Sequence, residues 1–306
     1  MLTTLTAPAF AETWYIENGD ITVKAGETGN DVTQNNETTY GDTGTVIKNY
    51  DKDTASSNTV TIEAKDKDDK VEVTLDNVNI KADSGSAITS KGDVTLTLKG
   101  DNSLTGGISD NGSYGLRGIS SNGSLTITGG ETDSLTAQGG SGTYDGGSGI
   151  YSNSLTISGG TVNAAGGNGG KVGGDGIYSN DIDLSGSLEL TAKAGSPNGK
   201  ALSQNGKELN LDTIKDKLGP GAKVTTTDAD GKVKQVSGPR PVEPEKPVIP
   251  EESSSSSDGG SATPSAPASP LPGLTVTDKD GQRISYTSTQ SGNTLTVCVG
   301  RLTASL

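Results

Sequence analysis

Short runs in which apolar residues alternate with small polar ones recur along this chain. They return about every 30 residues between Gly85 and Leu211. Alternation with a period of two is typical of β-strands that bury one face. Repetition at this length predicts a solenoid, in which each repeat packs against its neighbours. Equivalent positions of the five copies, the last of them weak, are Ile88, Ile119, Ile150, Ile177 and Leu202.

The spacing of the copies indicates which kind of solenoid to expect. Helical repeats would need apolar residues at i, i+3, i+4 and i+7, and that pattern is missing. The copies are 31, 31, 27 and 25 residues apart, and the differences fall in glycine-rich stretches, as expected for loops. We therefore predict a single-stranded right-handed parallel β-helix between Val60 and Lys223. The side chains expected to point inward are Ile119, Ile150, Ile177, Leu125, Leu155, Ile127 and Ile157.

Changes in composition divide the chain into four parts. Residues 1–11 end in Ala9-Phe10-Ala11, the small-x-small form of a signal-peptidase site, and are interpreted as the remnant of a signal peptide. Residues 12–237 form the β-helix domain. Residues 238–270 are a Pro/Ser-rich linker, expected to be extended and disordered. Residues 271–306 are a short β segment with Cys298 buried, expected to belong to a longer protein. The protein is expected outside the cell or on its surface.

Composition and charge exclude several classes of function. The chain has no histidine, which removes Ser-His-Asp and Cys-His catalysis and His-ligated metal sites. Its net charge is −14, and no basic stripe interleaves with aromatic residues, so we expect no nucleic-acid partner. No apolar run is long enough for membrane insertion.

Several segments together resemble a known family. They are Trp14-Tyr15-Ile16, the run from Val73 to Ile80, the run from Val94 to Leu104, and repeated Leu-Thr-Ile-x-Gly-Gly. Over about three-quarters of its length the chain resembles the carbohydrate-binding, pectate-lyase-like β-helix domain of bacterial surface proteins. The resemblance implies binding of plant polysaccharides, in some members with calcium, without catalysis.

Recurring positions supply the candidate site residues. Two pairs of tyrosines recur, and outward rings one coil apart would offer sugar C–H faces a stacking platform or, equally, would shield the sheet. Acidic turns offer oxygen ligands for Ca²⁺. A hairpin turn explains Asp228 and Asp230 equally well. Recurring asparagines are expected to form a structural ladder. The candidates are Tyr114, Tyr144, Tyr151 and Tyr178 for ligand; Asp145, Asp175, Asp228 and Asp230 for metal; and Asn122, Asn153, Asn180 and Asn205 for the ladder.

Three functions fit these features. The first is a secreted or cell-surface polysaccharide-binding module without catalysis, with plant-wall or bacterial-wall glycan as partner and Ca²⁺ as the one candidate cofactor. The second is a structural stalk or adhesin. The third is a calcium-dependent polysaccharide lyase, which needs a basic residue near neutral pH. Arg117 is the candidate base, with Ser148 and Asp175 expected at the same position of later coils.

Overall fold

A computed structural model describes residues 11–64 and 69–239, together with the backbone of two strands near the C-terminus. The described part is all-β, with curled sheets in which most neighbouring strands are parallel. Its helices are single 3₁₀ turns at Ile16–Asn18, Leu211–Thr213 and Lys215–Lys217. The last two lie on either side of Ile214. None of the described helices is long or apolar enough to cross a membrane.

The larger sheet contains two columns of parallel strands. The first column starts with three antiparallel strands and continues with parallel ones: β4 (Glu37–Asp42), β3 (Asn30–Gln34), β2 (Ile21–Ala25), β6 (Val60–Glu63), β9 (Ile88–Lys91), β12 (Ile119–Ser121), the first halves of β15 (Ile150–Ile157) and β17 (Ile177–Asp183), and β19 (Leu202–Gln204). The second column is β1 (Thr13–Tyr15), β5 (Val46–Lys48), β7 (Lys70–Asp76), β10 (Asp93–Lys99), β13 (Ser124–Thr128) and the second halves of β15 and β17.

The chain enters a smaller sheet directly after β7, β10, β13, β15 and β17. Strands that lie next to each other in this sheet also follow each other in the chain, so every repeat adds one strand to the sheet. They are β8 (Asn79–Lys81), β11 (Asp101–Thr105), β14 (Ser134–Gln138), β16 (Gly159–Ala165), β18 (Ser187–Lys193), β21 (Lys223–Thr227) and, antiparallel at the end, β22 (Val233–Ser237). A short strand β20 (Lys207–Glu208) pairs antiparallel with β19.

The register between strands aligns equivalent residues of successive repeats. Ile119 pairs with Ile88 on one side and Ile150 on the other, and Ile150 pairs with Ile177. All seven side chains predicted to point inward are buried, so that prediction is confirmed. The alternation of apolar and polar residues therefore separates one continuous core from the outer faces.

The core also contains a column of serines that the sequence reasoning missed. Ser90 pairs with Ser121, and Ser152 pairs with Ser179, each two residues after an inward isoleucine. All four side chains are buried. Because alternate residues of a strand face the same side, these hydroxyls point inward with the isoleucines.

Glycine-rich loops join the smaller sheet to the first column, over residues 106–118, 139–149 and 166–176. Their backbones hydrogen-bond to each other across repeats, as in the bonds from Gly140 N to Leu116 O at 2.7 Å and from Gly167 N to Gly147 O at 2.8 Å. A Cβ on Gly140 would overlap the carbonyl oxygen of Gly107, and one on Gly167 would overlap that of Gly140. The glycines are needed because the stacked loops leave no room for side chains.

A separate unit comprises residues 245–306. Within it β23 (Tyr286–Ser291) and β24 (Thr294–Val299) form an antiparallel pair, in agreement with the predicted β segment. Cys298 lies on β24. The structure describes only the backbone of this strand, so the predicted burial of the Cys298 side chain lies outside the described part. The signal-peptide remnant, apart from Ala11, and nearly all of the predicted linker also lie outside the described residues.

Candidate functional site

Tyr151 and Tyr178 form a stack on the outer side of the first column. The register pairs them directly, because each follows the inward isoleucine of its repeat. Their ring centroids are 5.1 Å apart and their planes differ by 10°. The predicted ladder is thus present in geometry, with the two rings face to face along the direction in which repeats succeed one another.

Arg117 covers Tyr151 from the preceding repeat. Its guanidinium carbon lies 4.2 Å from the ring centroid, a cation–π geometry. Tyr151 pairs with Ser120 on that side and with Tyr178 on the other, so both faces of its ring are occupied. A sugar cannot stack on a face of Tyr151 unless Arg117 moves. What this stack offers a ligand is the outer edges of the rings and their phenolic hydroxyls.

A column of charged and polar residues runs beside the tyrosines. Backbone bonds from Gly118 N to Ser148 O and from Gly149 N to Asp175 O put Arg117, Ser148 and Asp175 at equivalent positions, as the sequence predicts. The column continues to Lys200, whose N–H donates to Asp175 Oδ1 at 2.8 Å.

Glu208 lies next to this column, on the short strand beside β19. Its carboxylate accepts a bond from Leu202 N at 3.4 Å. Partial burial of the carboxyl group raises the pKa of Glu208, and the negative charge of Asp175 raises it further, against the lowering effect of that bond. Beyond Ser148 the column therefore combines two carboxylates, Asp175 and Glu208, with Lys200, whereas Arg117 stands at its other end.

Tyr114 and Tyr144 meet at the outer edge of the glycine-rich loops. Their centroids are 5.9 Å apart with an angle of 70° between the planes. They are offset by one position, since Tyr114 pairs with Asp145, so the expected in-register ladder becomes an edge-to-face contact. The rings remain 47% and 43% exposed. Lys171 lies over Tyr144, with Nζ 4.8 Å from the centroid and 2.6 Å from the hydroxyl.

The four candidate metal ligands do not converge. Asp145 and Asp175 lie in the loops of successive repeats, but Asp145 aligns with Val172, three positions before Asp175. Asp228 closes the hairpin between β21 and β22, because its Oδ1 accepts the N–H groups of Asp230 and Lys232 at 3.0 and 2.8 Å. Within residues 11–64 and 69–239, no group of three or more acidic or thiol side chains suits a metal ion.

The predicted asparagine positions lie on the surface. Asn122, Asn153, Asn180 and Asn205 are all exposed. Asn205 Nδ2 donates to the backbone oxygen of Asn180 at 2.9 Å, and Asn205 has a φ of 50°. Among the described residues the expected amide-to-amide bonds between neighbours do not form. Asn205 thus contacts the backbone of the preceding repeat instead of the Asn180 side chain.

A third tyrosine pair was not predicted. Tyr15 and Tyr50 stack with centroids 3.8 Å apart and planes within 5°. Both precede the clear repeats, so no periodic signal in the sequence connects them. The connection comes from the pairing of β1 with β5, which aligns Tyr15 with Lys48 and brings the residues after Lys48 alongside.

Comparison of the chain with family models, with curated proteins and with solved structures gave no match.

Proposed function

We propose that residues 12–237 form a single-stranded right-handed parallel β-helix that binds polysaccharide without catalysis, as a module of a secreted or cell-surface protein. Support for this fold comes from the in-register pairing of equivalent residues and from the fixed order in which each repeat visits the three strand columns. Right-handed connection is the rule for parallel strands joined by crossovers. An experimental structure in which β12 did not lie between β9 and β15 would contradict the fold.

The observation that carries the binding proposal is the recurrence of outward tyrosine pairs on neighbouring repeats. Tyr114 and Tyr144 have exposed rings, against which the C–H faces of a sugar can pack. The edges of Tyr151 and Tyr178 add hydroxyl groups, and Arg117 adds a donor. An extended glycan suits such a site better than a small molecule, because the described tyrosines lie on an open surface.

Charge favours a neutral glycan. The net charge of −14 repels uronates, and Asp175 and Glu208 lie beside Tyr178 in the adjoining columns. Binding of an acidic polysaccharide would require a bridging cation such as Ca²⁺. The stalk remains the competing function, since exposed tyrosines also shield a sheet.

A pull-down on insoluble cellulose, pectin and peptidoglycan, with calcium or with chelator, tests the proposal. The double change Tyr114→Ala/Tyr144→Ala should weaken binding about 30-fold, since each of the two rings contributes roughly 1 kcal/mol. Tyr151→Ala/Tyr178→Ala should weaken it less, because both faces of Tyr151 and one face of Tyr178 are covered. Tyr40→Ala is the matched control, an exposed tyrosine on β4. Retention on none of the three glycans would favour the stalk.

A further inference from the structure

Tyr50 has the features of a sugar-stacking residue that is held in place before any ligand binds. One face of its ring lies flat on Tyr15, at 3.8 Å between centroids. The residue is nevertheless 64% exposed, which requires the other face to be open to solvent. It differs in this from Tyr151, whose two faces are occupied by Arg117 and Tyr178.

Hydrogen bonds from the start of the chain fix the ring of Tyr50. Its N–H donates to Glu17 Oε1 at 2.9 Å, and its hydroxyl accepts from Asn18 Nδ2 at 3.3 Å. These two partners lie on the 3₁₀ turn that follows Tyr15, so the same short segment supplies both the backing ring and the polar anchors. A side chain held in this way loses little entropy when a ligand binds.

The loop after Tyr50 is also well anchored. Asp51 accepts bonds from Thr54 Oγ1 at 2.8 Å and from Asp53 N at 3.1 Å. Asn79 Nδ2 donates to Lys52 O at 2.9 Å and ties the loop to β8. The bond from Thr54 lowers the pKa of Asp51, so this carboxylate stays charged near neutral pH.

Polar groups at the rim indicate the chemistry of the ligand. Glu17 Oε1 accepts the N–H of Tyr50, and Glu17 Oε2 is buried with no hydrogen-bond partner among the described residues. This carboxylate therefore contributes negative charge beside the ring and not a direct contact to a ligand. A flat apolar face next to an amide and a carboxylate matches a pyranose ring, which presents C–H groups on its face and hydroxyls at its edge. The carboxylates of Glu17 and Asp51 disfavour an anionic sugar, and Lys52 is paired with Asp53 at 2.8 Å.

We infer that Tyr50, backed by Tyr15, is a second glycan subsite that stacks one neutral pyranose ring. The inference rests on the proposed function and extends it to the first repeats, away from the glycine-rich loops. Asn18 and Glu17 are positioning residues for the ring. Stacking depends on the ring face, whereas the phenolic hydroxyl serves mainly to accept the bond from Asn18.

The test measures binding of the full chain to cellohexaose and mannohexaose, with oligogalacturonate as the anionic comparison, by calorimetry. Tyr50→Ala should weaken binding of a neutral hexasaccharide about 3- to 10-fold, in the range that one aromatic contact supplies. Tyr50→Phe and Tyr50→Trp should keep wild-type affinity within about 2-fold, because they keep a stacking face. Tyr40→Ala should change nothing, and oligogalacturonate affinity should not respond to Tyr50→Ala. Thermal melting of each variant verifies that the exposed substitution leaves the fold intact.

Three results would overturn the inference in different ways. Unchanged affinity in Tyr50→Ala, with a loss in Tyr114→Ala/Tyr144→Ala, would remove this subsite and leave the proposed function standing. Equal losses in Tyr50→Ala and Tyr50→Phe would show that the hydroxyl, and not stacking, makes the contact. Absence of binding by the wild-type chain to both neutral hexasaccharides and to the insoluble glycans would overturn the proposed function, and the subsite with it.

Discussion

The Oγ atoms of Ser152 and Ser179 lie 3.3 Å apart inside the core. Ser179 Oγ also donates to the backbone oxygen of Asp181 at 2.7 Å, so this pair is satisfied. The hydroxyls of Ser121 and Ser90, which lie one and two repeats before Ser152, are buried with no partner among the described residues. The same inward position thus carries two hydrogen-bonded hydroxyls, in Ser152 and Ser179, and two unbonded ones, in Ser90 and Ser121.

Replacing Ser121 by alanine should stabilise the protein. A buried hydroxyl without a partner costs about 1–3 kcal/mol, and the change removes it at little loss of volume. Ser152→Ala is the matched comparison and should lower the free energy of unfolding by about 0.5–1.5 kcal/mol, since it breaks a bond. Urea titration followed by circular dichroism measures both. A loss of stability in Ser121→Ala would show that an ordered water bonds this hydroxyl.

Ile150→Ala should destabilise the protein by about 2–5 kcal/mol, the usual cost of a cavity left by a large aliphatic side chain. Ile150 is fully buried and pairs with Ile119 and Ile177, so its loss leaves a gap in a column one residue wide. Thr156→Ala, on the outer face of the same strand, should cost less than about 1 kcal/mol. Equal thermal shifts for the two variants would be incompatible with this core.

Gly140→Ala should be more harmful than its small size suggests. The new Cβ would overlap the carbonyl oxygen of Gly107, which belongs to backbone and cannot swing away. We expect a loss of more than about 2 kcal/mol, comparable to overpacking in a core. Gly112→Asn is the control, because Gly112 has a φ of 69° with open space around it and asparagine tolerates that conformation. Similar melting temperatures for both would mean that the loops separate easily.

Most of the strand pattern could be predicted from the sequence, and part of the candidate site could not. The period of two decided which side chains face inward, and Tyr151 and Tyr178 followed because they adjoin Ile150 and Ile177. Tyr144 was misaligned by one residue, because the glycine-rich loops have no apolar alternation to set their register. The contact of Arg117 with Tyr151 depends on the side-chain conformation by which Arg117 reaches the next repeat. The order of residues in the sequence does not determine that conformation.

Glu208→Gln should raise stability slightly at neutral pH. The folded-state pKa of Glu208 is raised, so its contribution to stability is present below the unfolded pKa, about 4.3, and is lost as pH rises through the folded pKa. The gain at pH 7 should stay below about 1 kcal/mol, because the carboxyl group is only partly buried and solvent screens its charge. Glu189→Gln, which breaks the 3.0 Å pair with Lys223, should give no gain at pH 7. Melting curves across the acid range compare the two. A gain for Glu208→Gln below pH 4 would contradict this explanation.

The protein should show no polysaccharide lyase activity. Arg117 is the candidate base, but its guanidinium lies on the ring of Tyr151 and a guanidinium does not lose its proton in proteins. Incubation with polygalacturonate and calcium should give no ultraviolet absorbance from unsaturated uronates. An absorbance increase that Arg117→Ala abolishes would establish a lyase instead of a binding module.

The alignment of equivalent residues makes the number of repeats adjustable. Residues 119–149 span one unit, and Gly118 and Gly149 both precede an inward isoleucine that pairs with the next. Excision of this unit would join Gly118 to Ile150 and let β15 and β16 meet β9, β10 and β11 in the same register. Unequal recombination between gene copies can therefore shorten or lengthen such a protein in whole repeats, and the outward columns of side chains change in length with it.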